Sequence, residues 1–261
     1  HLSIRRQRQM CIRDRLCIVH KICKPLLRWS KSNRKIDYNN FSILSGYSCP
    51  ACIIFKSKAV IKNNTREILD SKHTKIRCYS ASQEVQYDDT YNQRKHNFDL
   101  LKACKSVNEI YNLLDISIPK IKFAPFRIHI GGDFFNQRYF DGWLKLALKN
   151  PKCFYYTYTK SLNYWINRLD VIPDNFKLVA SVGGRYDNLI DKYNLISATV
   201  VFTESQAEKM GLEIDHDDSL AIENKKSFAL DIHGTQSKGS YASKIVSLRK
   251  RNGEKIGYSK R

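Results

Sequence analysis

From about residue 120 the chain alternates short apolar runs with longer amphipathic ones. The short runs are FRIHI (126–130), CFYYTY (153–158), KLVAS (177–181), ATVVF (198–202) and SFALDI (227–232). Each has the length and β-branched or aromatic content of a strand covered on both faces. Among the intervening segments, QRYFDGWLKLALKN spaces Phe140, Trp143, Leu144 and Ala147 at i, i+3, i+4 and i+7, one face of a helix turned to the core. Strands alternating with helices predict a parallel sheet with right-handed crossovers. With a sixth strand from NFSILSG near residue 41, the expected fold is α/β, an irregular or partial parallel β/α barrel of about six strands. An N-terminal cysteine-bearing segment joins it. No G-x-G-x-x-G follows the first clear strand, so dinucleotide binding is not supported. Residues 94–115 read as one long helix with Leu100, Leu101, Cys104, Val107, Ile110 and Leu114 on one side, which makes Cys104 a small apolar core residue.

Charge changes this picture mainly at the ends. Of the formal +20, residues 1–15 carry +4, 16–40 carry +5 and 244–261 carry +6, leaving +5 for 41–243. A body so near neutrality argues against a phosphate groove, whereas the basic ends can hold a polyanion such as nucleic acid. The segments divide accordingly. Residues 1–15, whose MCIRDR is similar to a string produced by translated sequencing adapters, are set aside from fold reasoning. A basic segment follows at 16–40, then a single barrel-like domain at 41–243, then a basic tail at 244–261 that starts helix-like. No apolar run approaches the roughly 18–20 residues of a membrane helix, and LCIVH is cut short by Lys21 without a cleavage site. The expectation is a soluble protein of the host cytoplasm with no membrane partner; oligomeric state is not legible. In a reducing compartment the seven cysteines left after Cys11 is set aside are ligands, catalytic groups or buried residues rather than disulfides.

Cys49 and Cys52 are separated by two residues, and Cys78 lies further on, in RCYSASQE. A tight turn can aim two such sulfurs at one metal, and Pro50 stiffens it. With one further cysteine instead of a second pair, the readings are zinc with a fourth ligand from elsewhere, a three-thiolate iron–sulfur cluster with an open position, a Cys49–Cys52 redox pair, or buried cysteines without chemistry. Carboxyl ends of the expected strands supply Gly131, Gly132, His129 and Asp133, then Thr159 and Lys160, then Ser181, Glu204 and His233. Parallel neighbouring strands would bring these to one rim, where barrel enzymes assemble their sites. Such a rim suits a small polar substrate, with Asp133 and Lys160 orienting it and His129, Glu204 or His233 moving protons. Against this, strand-to-helix junctions favour polar caps in any case. Asp215, His216, Asp217 and Asp218 cluster without EF-hand spacing, which fits a solvated loop better than a cation site. The loop from His233 to Ser240 precedes a helix start whose N–H groups could take an anion.

Read in order, SNRK, FSILSGYSCPAC, RCYSASQE, RKHNFDLL, RIHIGGDFFNQRYFDGW, YYTYTKS, PDNFKLVASVGG and DIHGTQSKGS resemble the phage family called gene product eighty-eight, over about residues 32–243. That resemblance implies ancestry rather than an activity. A more distant similarity is to three-cysteine phage proteins with a radical-SAM-like barrel. It implies a cluster on Cys49, Cys52 and Cys78 with S-adenosylmethionine as a cofactor. The chain departs from that pattern: twenty-five residues lie between Cys52 and Cys78, where radical-SAM proteins group their three cysteines closely. A nucleic-acid-associated protein with structural zinc, and a non-catalytic virion or interaction protein, are the readings from other classes.

Overall fold

A strand covered on both faces has no polar alternation to reveal it, yet the expected strands are all there in a computed structural model that describes residues 27–31, 36, 38–120 and 125–254. β1 (Asn40–Phe41) leads into a hairpin of β2 (Ser57–Lys62) and β3 (Thr65–Asp70), followed by helices α1 (Tyr79–Gln86), α2 (Asp88–Ala103) and α3 (Val107–Ser117). Strands and helices then alternate: β4 (Pro125–Ile128), α4 (Gln137–Lys149), β5 (Phe154–Thr159), α5 (Leu162–Ile166), β6 (Phe176–Ser181) and α6 (Asn188–Lys192). β7 (Ser197–Val201), α7 (Glu204–Lys209), α8 (Ser219–Glu223), β8 (Phe228–Asp231) and α9 (Tyr241–Arg251) complete the order. β1, β4, β5, β6, β7 and β8 form one six-stranded sheet in chain order, every pair parallel. Among the described residues β1 and β8 are its outer strands and do not pair with each other, so the sheet is open and a complete barrel is not formed.

Each face has its own core. On one, Phe126, Ile128, Tyr155, Phe176 and Leu178 pack with Leu101, Ile110, Leu114, Trp143, Leu144 and Ala147, so the predicted face of α4 is buried. Gly142 lets α4 approach α3, since a Cβ there would stand 2.4 Å from Ile110 Cγ2. Trp29, from the segment expected to be a basic lead-in, sits with its ring 5.0 Å from Phe41 and edge-on to Phe126 and Trp143. On the other face Tyr156, Val179, Ala198 and Phe228 pack with Ala221 of α8. Residues 1–15, the postulated foreign segment, lie outside the described residues. No helix among the described residues is long and apolar enough to cross a membrane.

Three features differ from expectation. The long helix at 94–115 is two, α2 and α3. Ser106 accepts from Glu109 N–H (3.1 Å), while the Glu109 carboxylate accepts from Lys105 N–H (2.8 Å) and the Ser106 hydroxyl (3.3 Å). This capping arrangement starts a new helix inside an uninterrupted apolar stripe. The β2–β3 hairpin is new, closed by Asn63 and Asn64 at φ of 47° and 61°, the left-handed pair that a tight two-residue turn requires. Finally, Asp215 and Asp218 are buried rather than solvated. Asp215 accepts from Asp217 N–H (3.1 Å) and Ala221 N–H (3.3 Å), and Asp218 pairs with Arg127 at 2.5 Å. The loop is thus a plug on the α8 face, held by a buried ion pair and by the hydroxyls of Tyr156 (2.8 Å) and Tyr158 (3.0 Å).

His129 follows β4 with φ of 62°, a left-handed conformation unusual outside glycine but tolerated by His, Asn and Asp. Its ring lies in an aromatic cage of Phe134 and Tyr139, with Nε2 2.9 Å from the Tyr139 hydroxyl. Burial pushes its pKa down to about 3. The imidazole is therefore neutral in the fold and protonates near 6.5 only when unfolded. Because the unfolded chain then binds the extra proton, this residue's contribution to stability is full above about pH 6.5. It is lost as pH falls toward 3, by at most about 1.4 kcal/mol per pH unit. Urea melts of the wild type and His129→Asn across pH 4–7 (roughly the window between the two pKa values) should converge as pH falls; parallel curves would place the ring in water.

Candidate functional site

The carboxyl edge of the sheet gathers the three expected cysteines. Cys49 and Cys52 lie in the loop after β1, with Cys52 N–H donating to Cys49 C=O at 3.4 Å; Cys52 also bridges to Gly184, beyond β6. Cys78 stands at the N-cap of α1, its N–H on Ser57 Oγ at 3.2 Å. Each sulfur lies within electrostatic reach of the other two. Burial pushes the Cys49 thiol well above its ordinary range, with Cys52, Asp133 and Cys78 adding to it. Cys52 is pushed up to about 11 by burial against the opposing Lys160 ammonium, and burial also raises Cys78. These are neutral thiols, unlike the low-pKa nucleophiles of thiol enzymes. Among the described residues no three His, Cys, Asp or Glu side chains stand close enough together to hold one metal ion.

Asp133 and Lys160 build the wall beside the thiols. The Asp133 carboxylate accepts from Thr159 Oγ1 (2.6 Å), Phe134 N–H (2.7 Å) and Lys160 N–H (2.9 Å). Burial raises its pKa and these bonds oppose the rise. Three of its roughly four acceptor positions are thus filled, and its first role is to fasten the end of β4 to the end of β5. The Lys160 ammonium donates to Ser181 Oγ (2.7 Å), Val182 C=O (2.8 Å) and Ser181 C=O (3.0 Å) and lies 4.5 Å over the Phe55 ring. Burial lowers its pKa, while Cys52, Asp133, Asp187 and Cys78 pull the other way. With all three N–H bonds used, the Lys160 side chain is held in place, within electrostatic reach of Cys52 and Cys78.

Gly131 and Gly132 are where other elements press onto this edge. A Cβ on Gly131 would lie 2.1 Å from Ser80 Oγ, and one on Gly132, at φ of 88°, 2.4 Å from Ile43 Cγ1. Behind them is a buried network that sequence reasoning missed. Arg94 Nη1 donates to Ser80 Oγ (2.6 Å), Ser80 C=O (3.0 Å) and Glu84 Oε1 (3.0 Å). Glu84 also accepts from the Ser45 hydroxyl (2.7 Å) and N–H (3.0 Å). It binds the helix carrying Cys78 to the loop carrying Cys49. Its sequence signal was the pair of polar segments around the cysteines, GYSCPAC and RCYSASQE.

The remaining expected residues scatter. His129 is sealed on the helix-covered side. Glu204 is exposed at the start of α7, lining a shallow groove with Glu208, Glu213 and His216. Ser240 caps α9 by accepting from Ser243 N–H at 3.1 Å, so the helix start it precedes is already served. His233 adjoins the cysteine region through Tyr79, ring centroids 4.4 Å apart. The site thus assembles Cys49, Cys52, Cys78, Asp133, Thr159, Lys160, Ser181, Gly131 and Gly132, with His233 at its border.

No curated protein and no solved structure is significantly similar to the chain. A family model described as Gene product 88 matches residues 20–253, which include every strand among the described residues and the whole carboxyl edge. The chain therefore belongs to the Gene product 88 family.

Proposed function

We propose that this protein is an iron–sulfur enzyme acting on a polar substrate at the carboxyl edge of its parallel sheet. The observation that supports the reading is the gathering of Cys49, Cys52 and Cys78 within electrostatic reach of one another, beside Lys160 and Asp133. Iron–sulfur clusters are held by Cys thiolates. Three thiolates would leave one iron open to a substrate or to S-adenosylmethionine, the cofactor implied by the more distant resemblance. Lys160 faces the thiols as a cation that favours their charged form, and Asp133 holds the two strand ends in register. His233, beside Tyr79, is the imidazole placed to exchange protons at the border.

Burial keeps the unloaded thiols protonated, so cluster loading releases protons and is favoured as pH rises. The test is iron and acid-labile sulfide measured on protein purified without oxygen, together with its visible spectrum. Iron and sulfide in matching amounts with broad visible absorbance support the reading. Stoichiometric zinc, or no metal after reconstitution with iron and sulfide, overturns it.

A further inference from the structure

The near-neutral body conceals a local excess. Residues 56–77 carry seven basic side chains and two acidic ones. Their +5 equals the net charge of all of 41–243, so the remainder of that segment is neutral. This stretch is the β2–β3 hairpin and its return to Cys78. Two of its cations serve the fold: Arg77 pairs with Asp70 at 2.6 Å, and Arg66 pairs with Asp88. Lys62 pairs with Glu67 at 3.4 Å, both exposed. Lys56, Lys58, Lys72 and Lys75 have no acidic partner among the described residues.

These four gather at the root of the hairpin. Ser71 N–H and the Thr74 hydroxyl donate to Lys56 C=O, and Lys75 N–H donates to Ile54 C=O, which folds the 71–75 turn back against Lys56. Lys56, just before β2, and Lys58 are two residues apart, and same-face neighbours on a strand stand roughly 7 Å apart. Beside them Leu69, paired with Lys58, is 45% exposed, and Tyr47, with the Lys58 ammonium 4.9 Å from its ring centre, is 44% exposed. Ammonium groups without an acidic partner next to a partly exposed aromatic ring suit a phosphodiester backbone with a base stacked alongside. The same root forms part of the thiol wall: Phe55 lies under Lys160, and Ser57 holds Cys78.

We infer that the hairpin is a nucleic-acid-binding arm that lays a single strand across the carboxyl edge through Lys56, Lys58, Lys72 and Lys75. What the arm presents the strand to rests on the reading of that edge as a cluster site; the binding itself does not. The experiment is fluorescence anisotropy with a labelled single-stranded oligonucleotide, titrated at several salt concentrations between about 50 and 200 mM. Three proteins are compared: the wild type, a variant with Lys56→Gln, Lys58→Gln, Lys72→Gln and Lys75→Gln, and a charge-matched control with Lys149→Gln, Lys152→Gln, Lys192→Gln and Lys209→Gln. The hairpin variant should bind at least about tenfold more weakly, with its log–log salt slope reduced by about 3, while the control shifts by less than about threefold. Equal loss in the two variants, undiminished binding by the hairpin variant, no binding by the wild type, or binding to phosphatidylserine vesicles in place of the oligonucleotide would each overturn it. Wild-type protein that holds no iron after reconstitution yet still binds through these lysines sinks the enzyme reading and leaves the arm standing.

Discussion

Replacing Arg94 by Met should cost about 3–5 kcal/mol of folding stability at neutral pH, the range for breaking a buried ion pair from one side. Arg94 and Glu84 are both almost fully buried, and Met keeps most of the packing volume while removing the N–H groups that Arg94 donates to Glu84, Ser80 and Gln83. Burial already raises the Glu84 pKa, with Arg94 the main opposing influence. Without that cation the carboxyl takes up a proton, and the loss should shrink as pH is lowered. Adding Glu84→Gln should restore part of the stability at pH 7, because the uncompensated charge is gone while the bonds to Ser45 can persist. Urea unfolding of the wild type, the single and the double variant at two pH values checks all three statements. A single variant within about 1 kcal/mol of wild type would mean that this pair is solvated.

Gly132→Ala should be comparably damaging, by about 3 kcal/mol or more, from overpacking on top of backbone strain. At φ of 88° an L side chain is strained, and its Cβ would meet Ile43 Cγ1 at 2.4 Å, Ser48 Oγ at 2.7 Å and Ile43 C=O at 2.8 Å. Gly211 supplies the comparison, with φ of 65° and nothing within 4 Å of an added Cβ. Gly211→Ala carries the strain without the collision and should lose only about 1 kcal/mol. The difference between the two melting shifts isolates the close approach of the Cys49 loop to the Gly-Gly-Asp turn. Equal shifts would show that the loop is free to move away.

The damage expected at these positions reflects what could and could not be read along the chain. The strands were legible because a segment buried on both faces is a short, nearly unbroken apolar run. The hairpin was not, because half of it faces water and its lysines interrupt the pattern; Asn63-Asn64 was its one clear signal. The break at Ser106 was written as Ser-Val-Asn-Glu inside a stripe whose periodicity continues through it. For the site, the close spacing of Cys49 and Cys52 and the polar strand ends were visible, and the sheet brings most of them together. Direction was not visible: His129 and Asp133 follow the same strand, yet one turns into the aromatic core and the other ties two strand ends. Arg94 and Glu84 look in sequence like ordinary charges on the surface of a helix. Only the approach of the Cys49 loop and Gly131 makes them interior, and that depends on contacts far apart in the chain.

The central claim is that Cys49, Cys52 and Cys78 act as one ligand set. Iron and sulfide content after anaerobic reconstitution, compared between single Cys→Ser variants, tests it most directly. Cys49→Ser, Cys52→Ser and Cys78→Ser should each lose most of the bound iron and the visible absorbance, while Cys104→Ser and Cys153→Ser, outside the edge, should retain both. Retention by any of the first three, or equal loss across all five, would contradict the account.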